Sequence, residues 1–110
     1  MKIDKFKDMK GGWFIGNFEP SAYKNKDFEV AVHFHEAGED HEKHYHKIST
    51  EINLLMQGRM SVDKDEEKIL VPGDIFTIHP NEIVYPNFYE DCAILVIKVP
   101  SSIGDKYVSL

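Results

Sequence analysis

The sequence predicts an all-β domain, a small barrel or sandwich. Short apolar or alternating runs recur at even spacing with turn signals between them, the pattern of compact all-β architectures. No stretch carries the 3.6-residue apolar spacing of a convincing amphipathic helix. Aromatic residues make up 12% of the chain, enough to fill a small barrel interior.

The elements follow in order. Trp13 to Phe18 is a first strand, introduced by Gly11-Gly12, and the stretches 20–22 and 24–27 read as loop. Phe28 to His35 alternates Phe28, Val30, Val32 and Phe34 against Glu29, Ala31, His33 and His35, a half-buried strand. If the apolar set faces the core, His33 and His35 face solvent or a partner, which is the expectation; in a barrel with a polar interior they would line a pocket instead. Glu36 to Lys43 is charged, carries Gly38 and reads as a hairpin-like loop, with His41 an exposed member of it. Strands are expected at His44–Ile48, Thr50–Gln57 and Met60–Asp63, then a solvated turn over Lys64–Lys68 and a short return strand at Ile69–Val71. Ile75–Ile78 follows the Pro72-Gly73-Asp74 turn, and Ile83–Tyr85 follows Pro80-Asn81-Glu82. Ala93–Val99 is the longest apolar run and stops at Pro100; residues 101–110 read as a polar tail packed on the outside or on a partner chain.

Size and charge exclude several functions. The 110 residues suit one domain, with a barrel core at 28–99, an N-terminal strand and loop at 1–27 and a tail at 100–110. A formal charge of −6 and a single arginine, Arg59, argue against nucleic-acid or anionic-membrane surfaces and against bidentate phosphate clamping. No secretory signal or membrane span is read, and one cysteine, Cys92, precludes an intrachain disulfide, so a cytoplasmic setting is expected. Cys92 borders an apolar run and reads as a small buried hydrophobe.

The richest signal is Gly38-x5-His44-x-His46-x4-Glu51-x6-Gly58. On a strand, two histidines one residue apart share a face. A carboxylate from the next strand completes two imidazoles and one oxygen, a set suited to a divalent transition metal. The spacing resembles the first motif of the cupin superfamily at every position. Pro72-Gly73-Asp74 and the following strand resemble the start of the second motif, but His79 stands at the family's proline and Val84 at its metal-binding histidine. Asn81 replaces a glycine and tolerates positive φ. The resemblance covers about residues 28–99 and implies a small double-stranded β-helix, or jelly-roll barrel.

The resemblance also implies one metal (Fe, Zn, Ni or Mn) on His44, His46 and Glu51. His79 is a candidate fourth ligand: a hairpin with Asn81 and Glu82 at its tip would set it opposite Val84, facing the pocket. A turn longer by one residue would flip it outward, and three protein ligands with open positions is the other alternative. Such a centre points to Lewis-acid isomerisation or elimination, or oxygen-dependent chemistry, on a small oxygen-rich metabolite such as a sugar or keto acid. Metal-free sugar epimerases and ketoisomerases of the superfamily are the alternative enzyme class, with His79, Tyr85 or Tyr45 as acid–base candidates; a ligand-binding module without catalysis is the third. A symmetric homodimer is expected, because a small barrel has sheet edges to cover.

Overall fold

The computed structural model describes residues 1–66 and 68–110. Among these residues a single 3-10 turn, Phe6–Asp8, precedes ten strands: β1 Trp13–Gly16, β2 Tyr23–Lys24, β3 Glu29–His35, β4 His44–Tyr45, β5 Thr50–Gln57, β6 Met60–Ser61, β7 Ile75–Ile78, β8 Asn87–Phe88, β9 Cys92–Val99 and β10 Tyr107–Val108. Six strands form one sheet in the order β2-β1-β3-β9-β5-β7, and the pairs β10-β4 and β6-β8 supply the opposing wall. Bridges His44–Val84, Met60–Leu70 and Asp63–Tyr85 stitch that wall together. The result is the all-β jelly-roll barrel expected. Among the described residues no helix is long and apolar enough to cross a membrane.

The long strands fall where alternation and apolar runs put them, whereas the expected strands at His44–Ile48, Met60–Asp63 and Ile69–Val71 shrink to short pairs or one bridge. Part of the expected Lys64–Lys68 turn, Glu67, lies outside the described residues. Gly58 ends β5 with φ +90°, and a Cβ there would overlap the Asp91 carbonyl, so that turn is open to glycine alone. The Val71–Asp74 turn closes through Asp74 N on the Val71 carbonyl (3.0 Å), with Gly73 at φ +97°.

The register of β9 decides what points inward. It pairs Ala31 with Val96 and His33 with Ile94 on one side, and Asn53 with Val96 and Glu51 with Lys98 on the other. The buried cluster of Ala31, Leu55, Met60, Phe88, Ile94 and Val96 belongs to this inner face. The expectation for β3 is therefore overturned: His33 and His35 line the interior, and Val30, Val32 and Phe34 face out. The physical reason is that the barrel holds a polar cavity, so the apolar phase of the strand is left for the outer surface. Phe34 and Ile75 on that surface are 68% and 67% exposed.

The last ten residues are built into the structure rather than trailing from it. β10 pairs with β4, and the buried Asp105 carboxylate accepts hydrogen bonds from the backbone N–H groups of Lys47 (2.9 Å), Ile48 (3.0 Å) and Ser49 (2.9 Å). This one side chain turns the chain between β4 and β5 and thereby sets the distance between His46 and Glu51 along the wall. Burial alone would push the Asp105 carboxyl up; the amides of Ser49, Lys47 and Ile48 together outweigh it, with a further pull from His46, and leave it below the ordinary aspartate value.

Asp105→Ala should cost about 3 kcal/mol in denaturant unfolding, because it strands buried amide donors. The folded-state pKa is depressed, so the carboxylate's contribution is present above about pH 4 and is lost as pH falls through the lower folded value. The wild-type protein should lose stability over that window, and the alanine variant should lack that part of the slope.

Candidate metal and ligand cavity

A cavity of about 320 Å³ opens between the six-stranded sheet and the opposing wall. Its floor is apolar, from Met60, Phe88, Ile94 and Val96, and its polar lining comes from histidines and charged groups. His44 and His46 enter from β4 and the residue after it, Glu51 and Asn53 from β5, and Lys98 from β9. The two motif imidazoles stand edge to face, 5.8 Å apart.

The protonation pattern of this set follows from its contacts. His44 Nδ1 lies 2.9 Å from the Glu42 carbonyl, which can only accept, so Nδ1 carries the proton and Nε2 keeps a free lone pair. His46 is 3% exposed, and its Nδ1 is buried with no hydrogen-bond partner. Burial lowers the pKa of His44, against the Glu42 bond. Burial also lowers that of His46, with Lys98 adding to the fall. Both rings are therefore neutral at pH 7. Glu51 Oε2 accepts from Asn53 Nδ2 at 3.3 Å. Two neutral imidazoles and one carboxylate are donor types that a divalent transition metal takes, but among the described residues the donor atoms of His44, His46 and Glu51 do not all lie within 4.8 Å of one another, whereas those of His35, Glu39 and His41 do. Lys98 stands in register with both Glu51 and Glu29 on the same inner face, and its ammonium lies 5.1 Å over the Trp13 ring.

His79 is not brought to the cavity. The turn centres on Pro80 and Asn81, with Asn81 at φ 71° and Glu82 N bonded to the His79 carbonyl at 3.1 Å. That is one residue earlier than the sequence reading assumed, so His79 faces Glu82, its Nδ1 2.9 Å from the Glu82 carboxylate, while Val84 pairs with His44. The His79 side chain is 65% exposed. Neither tyrosine candidate lines the cavity: Tyr45 stacks on Tyr107 at 5.5 Å, and Tyr85 lies beneath Lys64 at 4.8 Å. Cys92 is buried, and desolvation pushes its thiol up, consistent with a packing role.

Several lining residues were not singled out from the sequence. Lys98 closes the apolar run of β9 in phase with Ile94 and Val96, a signal that becomes readable only once that phase is known to face inward. Lys106 reaches the cavity from the tail. His41, expected to be exposed, also lines it, alongside His35, and both contact Glu39. Hydrogen bonds from His35 and His41 pull the Glu39 carboxyl down to about 2. Burial and the neighbouring His35 lower the pKa of His33, which sits edge-on to Trp13 at 5.2 Å.

No protein-family model matches the chain, and no curated protein matches it in sequence. Solved structures do share its architecture. DMSP lyase DddQ from Ruegeria pomeroyi DSS-3 superposes with a TM-score of 0.71 at 17% identity, over 86% of this chain and 48% of that one. An uncharacterized conserved protein with a double-stranded β-helix domain from Klebsiella pneumoniae gives 0.68 at 17% identity, over 77% and 72% of the two chains. KdgF from Halomonas sp. gives 0.64 at 21% identity, over 71% and 74%. With the strand order and the cavity between the two walls, these likenesses show that the chain has the double-stranded β-helix fold.

Proposed function

We propose that this chain is a metal-binding cupin enzyme whose substrate is a small, oxygen-rich and anionic metabolite, such as a sugar acid or keto acid. The observation that carries the reading is the joint presence, in one cavity, of neutral His44 and His46, the Glu51 carboxylate and the cations Lys98 and Lys106. His44, His46 and Glu51 would hold the ion; when bound, it supplies Lewis acidity toward a substrate oxygen, for isomerisation, elimination or oxygen-dependent cleavage. Lys98 and Lys106 would pair with a substrate carboxylate or phosphate and so orient it. His33, held neutral by burial on the inner face, is placed to accept a substrate proton. The apolar floor excludes water from that end of the cavity. DddQ, a lyase by name, and KdgF share the fold, which supports a small-molecule reaction as the class of activity.

Lys98, in register with Glu51 and lining the same cavity, favours a second reading, metal-free acid–base catalysis, because a cation already stands among the motif side chains. Metal loading of untagged protein separates the two. His46→Ala should abolish binding at the interior site while leaving the β-rich circular dichroism intact; unchanged affinity there would remove the metal from this assignment. Lys98→Met should leave metal affinity equal or higher and weaken binding of a small carboxylate substrate.

The pH dependence has a definite sign. His44 and His46 have pKa values below the ordinary histidine value, so protons displace the interior metal only as pH falls below about 6.5. A metal titration repeated between neutral and acidic pH should show flat affinity above that point and a steep loss below it.

We also propose that two chains pair through the outer face of the six-stranded sheet, where Phe34 and Ile75 are exposed and Phe6 packs edge-on against Phe14 and Phe34 at 6.3 and 6.4 Å. Sedimentation of the wild type should give twice the chain mass, and Phe34→Glu should shift it to one. A wild-type species of single chain mass at micromolar concentration would remove the dimer.

A further inference from the structure

A second group of ligand-type side chains converges at the other end of β9. His35 Nδ1 and His41 Nε2 each lie 2.5 Å from Oε2 of Glu39, and the three donor atoms all fall within 4.8 Å of one another. We propose that His35, Glu39 and His41 form a second divalent-metal site, selective for borderline ions such as zinc or cobalt(II). Two imidazole nitrogens and one carboxylate oxygen with an open fourth position are the donor set such ions take, and magnesium and calcium do not favour it.

Three features of the fold hold the group in place. The His35 ring lies flat on Phe88, 4.3 Å between centroids at 14°, so its orientation is set by packing. The loop that carries Glu39 and His41 is clipped to the barrel at successive residues: Ala37 N donates to Asp91 (2.8 Å), Gly38 N to the Phe88 carbonyl (2.9 Å), and Asp40 takes Lys64 Nζ (2.8 Å). Gly38 at φ +76° and Glu39 N on the Glu36 carbonyl make the turn that brings Glu39 back over His35. A donor set locked in place before the ion arrives loses little entropy on binding. The group is also reachable from outside, since grooves along Phe34 and along Gln57 both end on His35 and Glu39.

His35 and His41 line the same cavity as His44, His46 and Glu51, but the two donor groups sit toward its opposite ends. His35 pairs with Cys92 and Glu51 with Lys98, six residues apart on β9, or roughly 20 Å along the strand. One ion cannot serve both carboxylates, so the inference stands whether or not the interior set binds metal.

The test is zinc titration of the untagged full chain by calorimetry, with cobalt(II) absorption as the reporter of coordination. His44→Ala/His46→Ala protein should still bind one equivalent at micromolar zinc, and its cobalt complex should show the intense visible bands of four-coordinate geometry. In that background His41→Ala, a half-exposed loop change, should remove the equivalent, and Glu39→Gln should weaken it at least tenfold without lowering the thermal midpoint of the metal-free protein. If His44→Ala/His46→Ala protein takes up no zinc, or His41→Ala and Glu39→Gln leave its affinity unchanged, the proposal is overturned. Failure of the interior site alone looks different: wild type and His44→Ala/His46→Ala would then bind the same single equivalent, still abolished by His41→Ala.

Discussion

Because β9 pairs with β3 on one side and β5 on the other, its side-chain alternation dictates which residues of all three strands can reach the barrel interior. Cys92, Ile94, Val96 and Lys98 form its inward phase. Ala31 and His33 on β3, and Glu51 and Asn53 on β5, are then inward by registry. A one-residue slip of β9 against either neighbour would move that strand's whole inner set to the outside. The buried cluster and the cavity lining therefore depend on the same hydrogen-bond ladder. That coupling explains why a chain with a modest apolar core can carry so polar an interior: the apolar end of β9 packs on Leu55, Met60 and Phe88, while its last inward residue is a lysine.

The polar end is an electrostatic compromise. Lys98 sits between the registers of Glu29 and Glu51, two inward carboxylates that would otherwise repel. Glu29 is 5% exposed and accepts the Ser102 N–H at 2.6 Å, so its charge is spoken for by the tail. Among the described residues Glu51 has the weaker 3.3 Å contact from Asn53 and retains acceptor capacity toward the cavity. Burial, with Lys98 adding to the fall and Glu51 opposing it, lowers the pKa values of His46 and His33 and favours their neutral form, which is what both a metal ligand and a general base require near pH 7.

The fold was legible in the sequence because two periodicities agreed: alternation over β3 and the apolar run of β9, with glycines 38, 58 and 73 placing turns that need positive φ. The first motif fell on β4 and β5, as the spacing required. Alternation alone gives the phase of a strand but never which phase is inside, and for His33 and His35 the usual rule of apolar residues inward chose wrongly. A turn centred one residue earlier than assumed was enough to carry His79 away from the cavity. Asp105 had no local signal at all, since its partners lie 56 to 58 residues earlier in the chain.

The valine at the position of the family's second-motif histidine has a consequence for the cavity wall. Val84 is 8% exposed and its backbone exchanges hydrogen bonds with His44, N to O at 3.0 and 2.8 Å. The strand contact at this position is thus formed, while the side chain it carries is apolar. Replacing a ligand by a hydrophobe at a retained backbone position lowers the polarity of one wall without disturbing the placement of His44 or His46. The cavity then has polar donors on the β5 and β9 side and an apolar face formed by Val84, Pro86 and Phe88. On the functional reading proposed above, a ligand matched to it has one anionic, oxygen-bearing edge and one face of carbon. Such an asymmetry would fix the orientation of a charged ligand, because turning it over would bury its charge against valine and proline.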